Sequence, residues 1–133
     1  MDSKKLGLLG EKIAERYLEK KGYKILERNY SPKFVSELIY GEIDIVAKKE
    51  GTLFFIEVKT RVCKNSRTKE FFPEDKVNYS KQKKIIKTSR AYLLENNLNS
   101  ETKWQIDILA VEIYLEEKKA KVRHIKNAVG DFA

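Results

Sequence analysis

Residues 41–61 read Gly41-Glu42-Ile43-Asp44-Ile45-Val46-Ala47-Lys48-Lys49-Glu50-Gly51-Thr52-Leu53-Phe54-Phe55-Ile56-Glu57-Val58-Lys59-Thr60-Arg61. Between Ile39 and Ala47 the pattern has period two, which predicts a strand with Ile43, Ile45 and Ala47 on one face and Glu42, Asp44 and Val46 on the other. Lys48–Thr52 predicts a hairpin turn, and Leu53–Arg61, rich in β-formers, predicts the returning strand. On that second strand Leu53, Phe55, Glu57, Lys59 and Arg61 share one face, and Phe54, Ile56, Val58 and Thr60 the other. One face therefore runs from apolar residues into an acid and two bases. A hairpin of ordinary register brings Asp44 and Glu57 together at one end.

Working outward, Leu6, Leu9, Ile13, Ala14, Tyr17 and Leu18 follow helical spacing over Leu6–Lys21, and Gly22 ends that helix. Tyr23–Tyr30 reads as a short strand and Ser31–Tyr40 as a loop. Cys63–Asp75 reads as a basic loop, and Tyr79–Asn96 as a second helix with Ile85, Ile86, Ser89, Tyr92 and Leu93 on one face. Trp104–Leu115 and Ala120–Ile125 complete the set as strands joined at Glu116–Lys119. The predicted order is α-β-β-β-α-β-β: an α/β chain with one mixed sheet flanked by helices, and not a doubly wound dinucleotide fold. Trp104 is expected in the core, and His124 in a structural or exposed position.

The chain has 133 residues, enough for one domain over 1–133. Its 28 Lys+Arg against 20 Asp+Glu give a net charge of +8, which predicts a basic face and nucleic acid as partner. The lone Cys63 excludes an intramolecular disulfide framework and a multi-cysteine zinc site. The start carries no apolar signal stretch, and no run approaches the ~18 apolar residues of a membrane span. The expectation is a cytoplasmic protein with no membrane partner, and homodimerisation is left open.

Two clustered carboxylates repel and raise one another's pKa unless a cation joins them. Hard oxygen ligands of this kind suit Mg²⁺ or Mn²⁺. Lys59, on the same face as Glu57, supplies an ammonium suited to orienting water or offsetting charge on a phosphate. A solvated Glu57–Lys59 ladder is the structural alternative, since Glu-x-Lys is common on edge strands.

The order Gly10-Glu11-x-x-Ala14-x-x-Tyr17-Leu18, Gly22-Tyr23, Asn29-Tyr30, Gly41–Val46, Phe55–Arg61, Val77, Lys81, Ala91-Tyr92-Leu93 and Ile106-Asp107 closely resembles the YraN-like family of small bacterial proteins. The Asp…Glu-x-Lys core is also similar to archaeal-type Holliday junction resolvases of the PD-(D/E)xK nuclease superfamily. That resemblance implies a restriction-endonuclease-like fold, with Asp44 and Glu57 as Mg²⁺ (or Mn²⁺) ligands and Lys59 as catalytic cation. Glu11 matches a first-helix acid that resolvase-like members add to the site, and Glu42 an acid two residues before the motif Asp, suited to a second metal or its waters. Two departures stand out: Ser31–Tyr40 is longer than the family's connection, and Gln105 stands where the pattern has Arg.

From the residues alone, Glu11 sits at the margin of the apolar stripe of its helix, where an exposed surface acid is equally at home. Glu15, with Lys12 three residues before it, reads as a surface pair. The second helix sets Lys83, Lys84, Lys87 and Arg90 opposite its apolar stripe, and Arg61, Lys64, Arg67 and Lys69 precede it. Arg61, Lys81 and Lys84 are the expected phosphate contacts, with Phe71, Phe72 or Tyr79 available to stack. The expected activity is metal-dependent endonucleolytic cleavage of DNA, branched or irregular. A non-catalytic nucleic-acid-binding module and an RNA-processing nuclease are the alternatives.

Overall fold

The computed structural model describes residues 2–33, 41–67 and 79–129. Its elements are α1 (Ser3–Lys20), β1 (Lys24–Tyr30), β2 (Ile43–Lys49), β3 (Thr52–Cys63), α2 (Tyr79–Glu95), β4 (Lys103–Tyr114) and β5 (Lys119–Ile125). The five strands form one sheet in the order β1-β2-β3-β4-β5. All neighbours are antiparallel except β3 and β4, which run parallel over the whole length from Thr52↔Lys103 to Cys63↔Tyr114. A parallel neighbour requires a crossover, and α2 lies in it. The element order and the mixed sheet are those expected from sequence, consistent with an α/β nuclease-like fold. Ile39, Tyr40, Lys69, Phe71, Phe72 and Val77 lie outside the described residues, as does most of the segment Ser31–Tyr40.

Local signals fix the ends of these elements. Asp2 caps α1 by accepting from the Lys5 N–H at 2.8 Å, which starts the helix three residues before its apolar stripe. Gly22, at φ +91°, closes it: the Gly22 and Tyr23 N–H groups bond back to the Glu19 and Leu18 carbonyls. Between the paired residues Lys49 and Thr52, Glu50 and Gly51 both have positive φ, as a two-residue type I′ hairpin requires.

The sheet separates two apolar layers. Ala14, Leu18, Tyr23, Ile45, Ala47, Phe54, Ile56, Leu109 and Val111 pack beneath α1. Tyr30, Ile43, Val46, Leu53, Phe55, Ile85, Ile86, Tyr92 and Ile106 pack beneath α2, with Trp104 against them as expected. One element of the predicted alternation fails. Ile43 belongs to the α2 layer although Ile45 and Ala47 belong to the α1 layer. The same switch occurs on the paired strand, where Arg28 reaches Glu15 of α1 while Tyr30 packs beneath α2. The residue between them, Asn29, has φ 50°, a left-handed conformation that Asn tolerates better than most residues. The two strands therefore change face together at Asn29 and Asp44. Glu15 pairs with Arg28 at 2.6 Å rather than with Lys12, because β1 passes directly beside it.

Candidate active site

The change of face also ends the β2–β3 ladder. Paired residues run from Lys49↔Thr52 to Ile45↔Ile56 and stop. At the next position the Asp44 carboxylate replaces a backbone acceptor, taking the Val58 N–H at 2.8 Å through Oδ2. Asp44 is thus held where the two strands part, beside Glu57. Burial and then the Glu57 charge push its carboxyl up to about 7, against the pull of the Val58 N–H, with Glu11 and Glu42 adding to the rise.

Glu57 is the centre of the cluster. Its Oε1 lies 3.5 Å from Lys59 Nζ and 3.4 Å from Lys81 Nζ, so a carboxylate on β3 meets one cation from its own strand and one from the first turn of α2. Burial holds the Lys59 ammonium below the usual lysine range, and the Lys81 amine beside it acts in the same direction while Glu57 opposes it. Glu57 lines two clefts. The one toward α1, about 540 Å³, also holds Glu11, Asp44, Lys59 and Arg61. The one toward α2, about 380 Å³, holds Gly41, Glu42, Lys81 and Lys84.

Close packing delivers Glu11. A Cβ built on the preceding residue, Gly10, would stand 1.8 Å from Thr60 Oγ1, so only glycine lets α1 approach β3 this closely. Burial, then the charges of Glu42, Glu15 and Glu57, raise the Glu11 carboxyl above its ordinary value. With its amide oriented to donate, Asn29 reaches Glu11 Oε1 at 3.1 Å and Glu42 Oε1 at 3.0 Å. The residue that turns β1 over therefore also ties two of the acids together. On the other side, Thr88 Oγ1 accepts from the Gly41 N–H at 2.9 Å and donates to the Lys84 carbonyl at 2.7 Å. A fully buried hydroxyl on α2 thus pins the start of the Gly41–Asp44 segment.

The structure brings Glu11, Asp44 and Lys59 to the cleft on one side of Glu57, and Glu42, Lys81 and Lys84 to the cleft on the other. Arg61 lines the same cleft but faces the buried Glu112, its neighbour across the parallel ladder, at 3.5 Å. Its charge is therefore shared with a carboxylate, which the sequence pattern does not reveal. Cys63 is buried and outside any disulfide. His124 takes its structural role away from the cluster: Nε2 lies 2.7 Å from Asp107 Oδ2, and Nδ1 lies 3.3 Å from the Tyr17 hydroxyl. Burial opposes ionisation of Asp107, yet hydrogen bonds from His124, Gln105 and the Asn127 N–H outweigh it and hold the carboxyl below its ordinary value. Gln105, where the resemblance leads one to expect Arg, thus helps to satisfy a core carboxylate. Asn29 and Thr88 are the site residues that residue-level reasoning misses. Their signals are an Asn whose backbone must turn left-handed and a hydroxyl beside a buried helical stripe.

Among the described residues no three His, Cys, Asp or Glu side chains converge into a ready-made metal cage. No helix among the described residues is long and apolar enough to cross a membrane.

The model of the family described as "Uncharacterised protein family UPF0102" matches residues 10–111. A UPF0102 protein of Clostridioides difficile (strain 630) is 44% identical over 128 residues, covering 96% of this chain and 99% of its own. One from Alkaliphilus oremlandii (strain OhILAs) is 41% identical over 126 residues, covering 95% and 98%. A third, from Caldanaerobacter subterraneus subsp. tengcongensis, is 39% identical over 131 residues, covering 96% and 97%.

Proposed function

We propose that this chain, which belongs to the UPF0102 family, is a divalent-metal-dependent nuclease acting on DNA, with branched or irregular structures as its preferred substrates. One observation carries the reading: Asp44 leaves the ladder to stand beside Glu57, at a charge cost that a cation would remove. The preference for branched DNA rests on the resemblance of the Asp…Glu-x-Lys core to junction resolvases. A net charge of +8 and the exposed Lys83, Lys84 and Lys87 on α2 favour a polyanion.

The donor set fits Mg²⁺ or Mn²⁺: Asp44 and Glu57 would hold the ion, and Glu42 and Glu11, joined by Asn29, would bind its waters or a second ion. Such a metal supplies Lewis-acid charge that activates water and offsets charge building on the phosphate. The protein's own groups do the rest. Val58 N–H fixes the Asp44 carboxylate where β2 and β3 part. Lys59, held near Glu57, places an ammonium against the attacked phosphate. Lys81 and Lys84 hold neighbouring phosphates from the helix side.

A cleavage assay over linear, flapped and four-way DNA and over RNA, with Mg²⁺, Mn²⁺ or EDTA, tests the proposal. Metal-dependent cuts lost in Asp44→Asn and Glu57→Gln are expected. No cut on any substrate with either metal would leave only a nucleic-acid-binding module, and cutting confined to RNA would move the substrate class.

A further inference from the structure

Away from the carboxylate cluster, a pocket of about 320 Å³ opens between α2 and the start of β4. It lies at the small end of the range for ligand sites. Ile86, Ile106 and Val129 form apolar walls, and Trp104, Arg90, Gln105 and Asn127 supply the rest of the lining. Trp104 is held edge-to-face on Phe55, with centroids 5.6 Å apart and an interplanar angle of 79°, so its ring is braced by the core. Gln105 gives its Nε2 to Asp107 at 2.7 Å, which fixes the amide and turns its carbonyl oxygen away from that carboxylate. An aromatic ring, a guanidinium and two amides around a small apolar space are the groups that stack on a nucleobase and read its edge.

The position of the pocket adds a second argument. A shallower groove of about 270 Å³, formed by Lys83, Ile86, Lys87 and Arg90, shares Ile86 and Arg90 with it and runs along the exposed face of α2. At a rise of 1.5 Å per residue, Ile86 and Arg90 lie about 7.5 and 13.5 Å farther along the α2 axis than Lys81 of the carboxylate cluster and, at 3.6 residues per turn, about 140° and 180° around it, so a strand joining the two sites crosses the exposed face that carries Lys84 and Lys87. We propose that this pocket receives one unpaired nucleobase of the strand held at the Asp44–Glu57 site, a few nucleotides from that site, so that the substrate must contain a single-stranded or unstacked position there. The proposal rests on the nuclease reading for its register but not for the binding itself.

Trp104 is the sole tryptophan of the chain, so its emission reports directly on the pocket. The full-length protein is titrated in EDTA at low salt with a ten-residue oligothymidylate, an abasic oligomer of equal length, and a blunt duplex. Saturable quenching by the oligothymidylate alone is expected. Asn127→Gly, which keeps the positive φ of 49° accessible while removing the amide, should weaken oligothymidylate affinity roughly tenfold and leave abasic binding unchanged, whereas Arg90→Ala should weaken both, the oligothymidylate more. Equal binding and equal quenching by the abasic oligomer would overturn the proposal, as would oligothymidylate binding without any change in emission. Metal-dependent cleavage measured in parallel separates the two readings. Cutting with a silent Trp104 removes the pocket and keeps the nuclease, and quenching without cutting does the reverse.

Discussion

Replacing Asp44 by Asn tests the electrostatics of the site without requiring activity. The carbonyl of the substituted amide can still accept the Val58 N–H, so the change removes the charge and little else. Between its ordinary value of 3.8 and about 7, the folded protein keeps a proton on Asp44 that the unfolded chain has released. Stability conferred by wild-type Asp44 is therefore full below about pH 4, falls as pH rises toward 7, and is lost above it. At ~1.4 kcal/mol per pKa unit the upper limit is ~4 kcal/mol, and the cost of desolvating the amide leaves a net gain of about 1–3 kcal/mol for Asp44→Asn at pH 8. For a chain of this size that raises Tm by about 4 °C per kcal/mol. Calorimetric melts of both proteins in EDTA at pH 4, 6 and 8 should show the variant the less stable of the two at pH 4, by about the 1–3 kcal/mol amide cost, and a difference that moves steadily in its favour as pH rises. Added Mg²⁺ should then raise the wild-type Tm alone. A variant less stable than wild type at pH 8, or a difference that ignores pH, would refute the argument.

Lys59→Ala should lower single-turnover cleavage of a four-way junction by roughly 10²-fold or more while junction affinity stays within a few-fold, since its charge is needed most as the phosphate charge builds; an affinity loss matching the rate loss would make it a binding residue. Replacing both Lys81 and Lys84 by Ala should flatten the slope of log affinity against log salt by about 1–2, measured by fluorescence anisotropy, and an unchanged slope would remove α2 from the interface. Gly10→Ala should cost about 2–3 kcal/mol in urea unfolding, because the new methyl meets Thr60 Oγ1 at 1.8 Å, and Thr60→Ala in the same chain should recover part of the loss.

What is legible in the sequence is what depends on neighbours along the chain. The β2–β3 hairpin can be read from its alternation and its Glu50-Gly51 turn, the end of α1 from Gly22, and the Glu57/Lys59 face from a period of two. Asp44 beside Glu57 follows from the hairpin alone. The bond that fixes Asp44 does not, because it exists only where the ladder fails, and that failure depends on Asn29 turning the adjacent strand over. The same holds for Ile43, whose residue type suits either layer. A pairing that crosses a long interval is equally invisible: Arg61 with Glu112 needs the parallel register. Asp107 reads as a polar interruption of an apolar strand until its hydrogen-bond partners are in place.

The parallel pairing of β3 has a consequence for synthesis. As the chain leaves the ribosome, α1, β1, β2 and β3 are complete by Cys63, and the acids Glu11, Glu42, Asp44 and Glu57 can already assemble. The second neighbour of β3 begins only at Lys103, after α2 and its flanking segments. Until then Leu53, Phe54, Phe55 and Ile56 form an open apolar edge, the kind of template on which nascent chains pair with one another. Lys59 and Arg61, at the far end of that strand, are charges of the type that discourage such pairing. Apolar replacements there would lower the yield of soluble protein through the nascent chain, apart from any effect on phosphate chemistry.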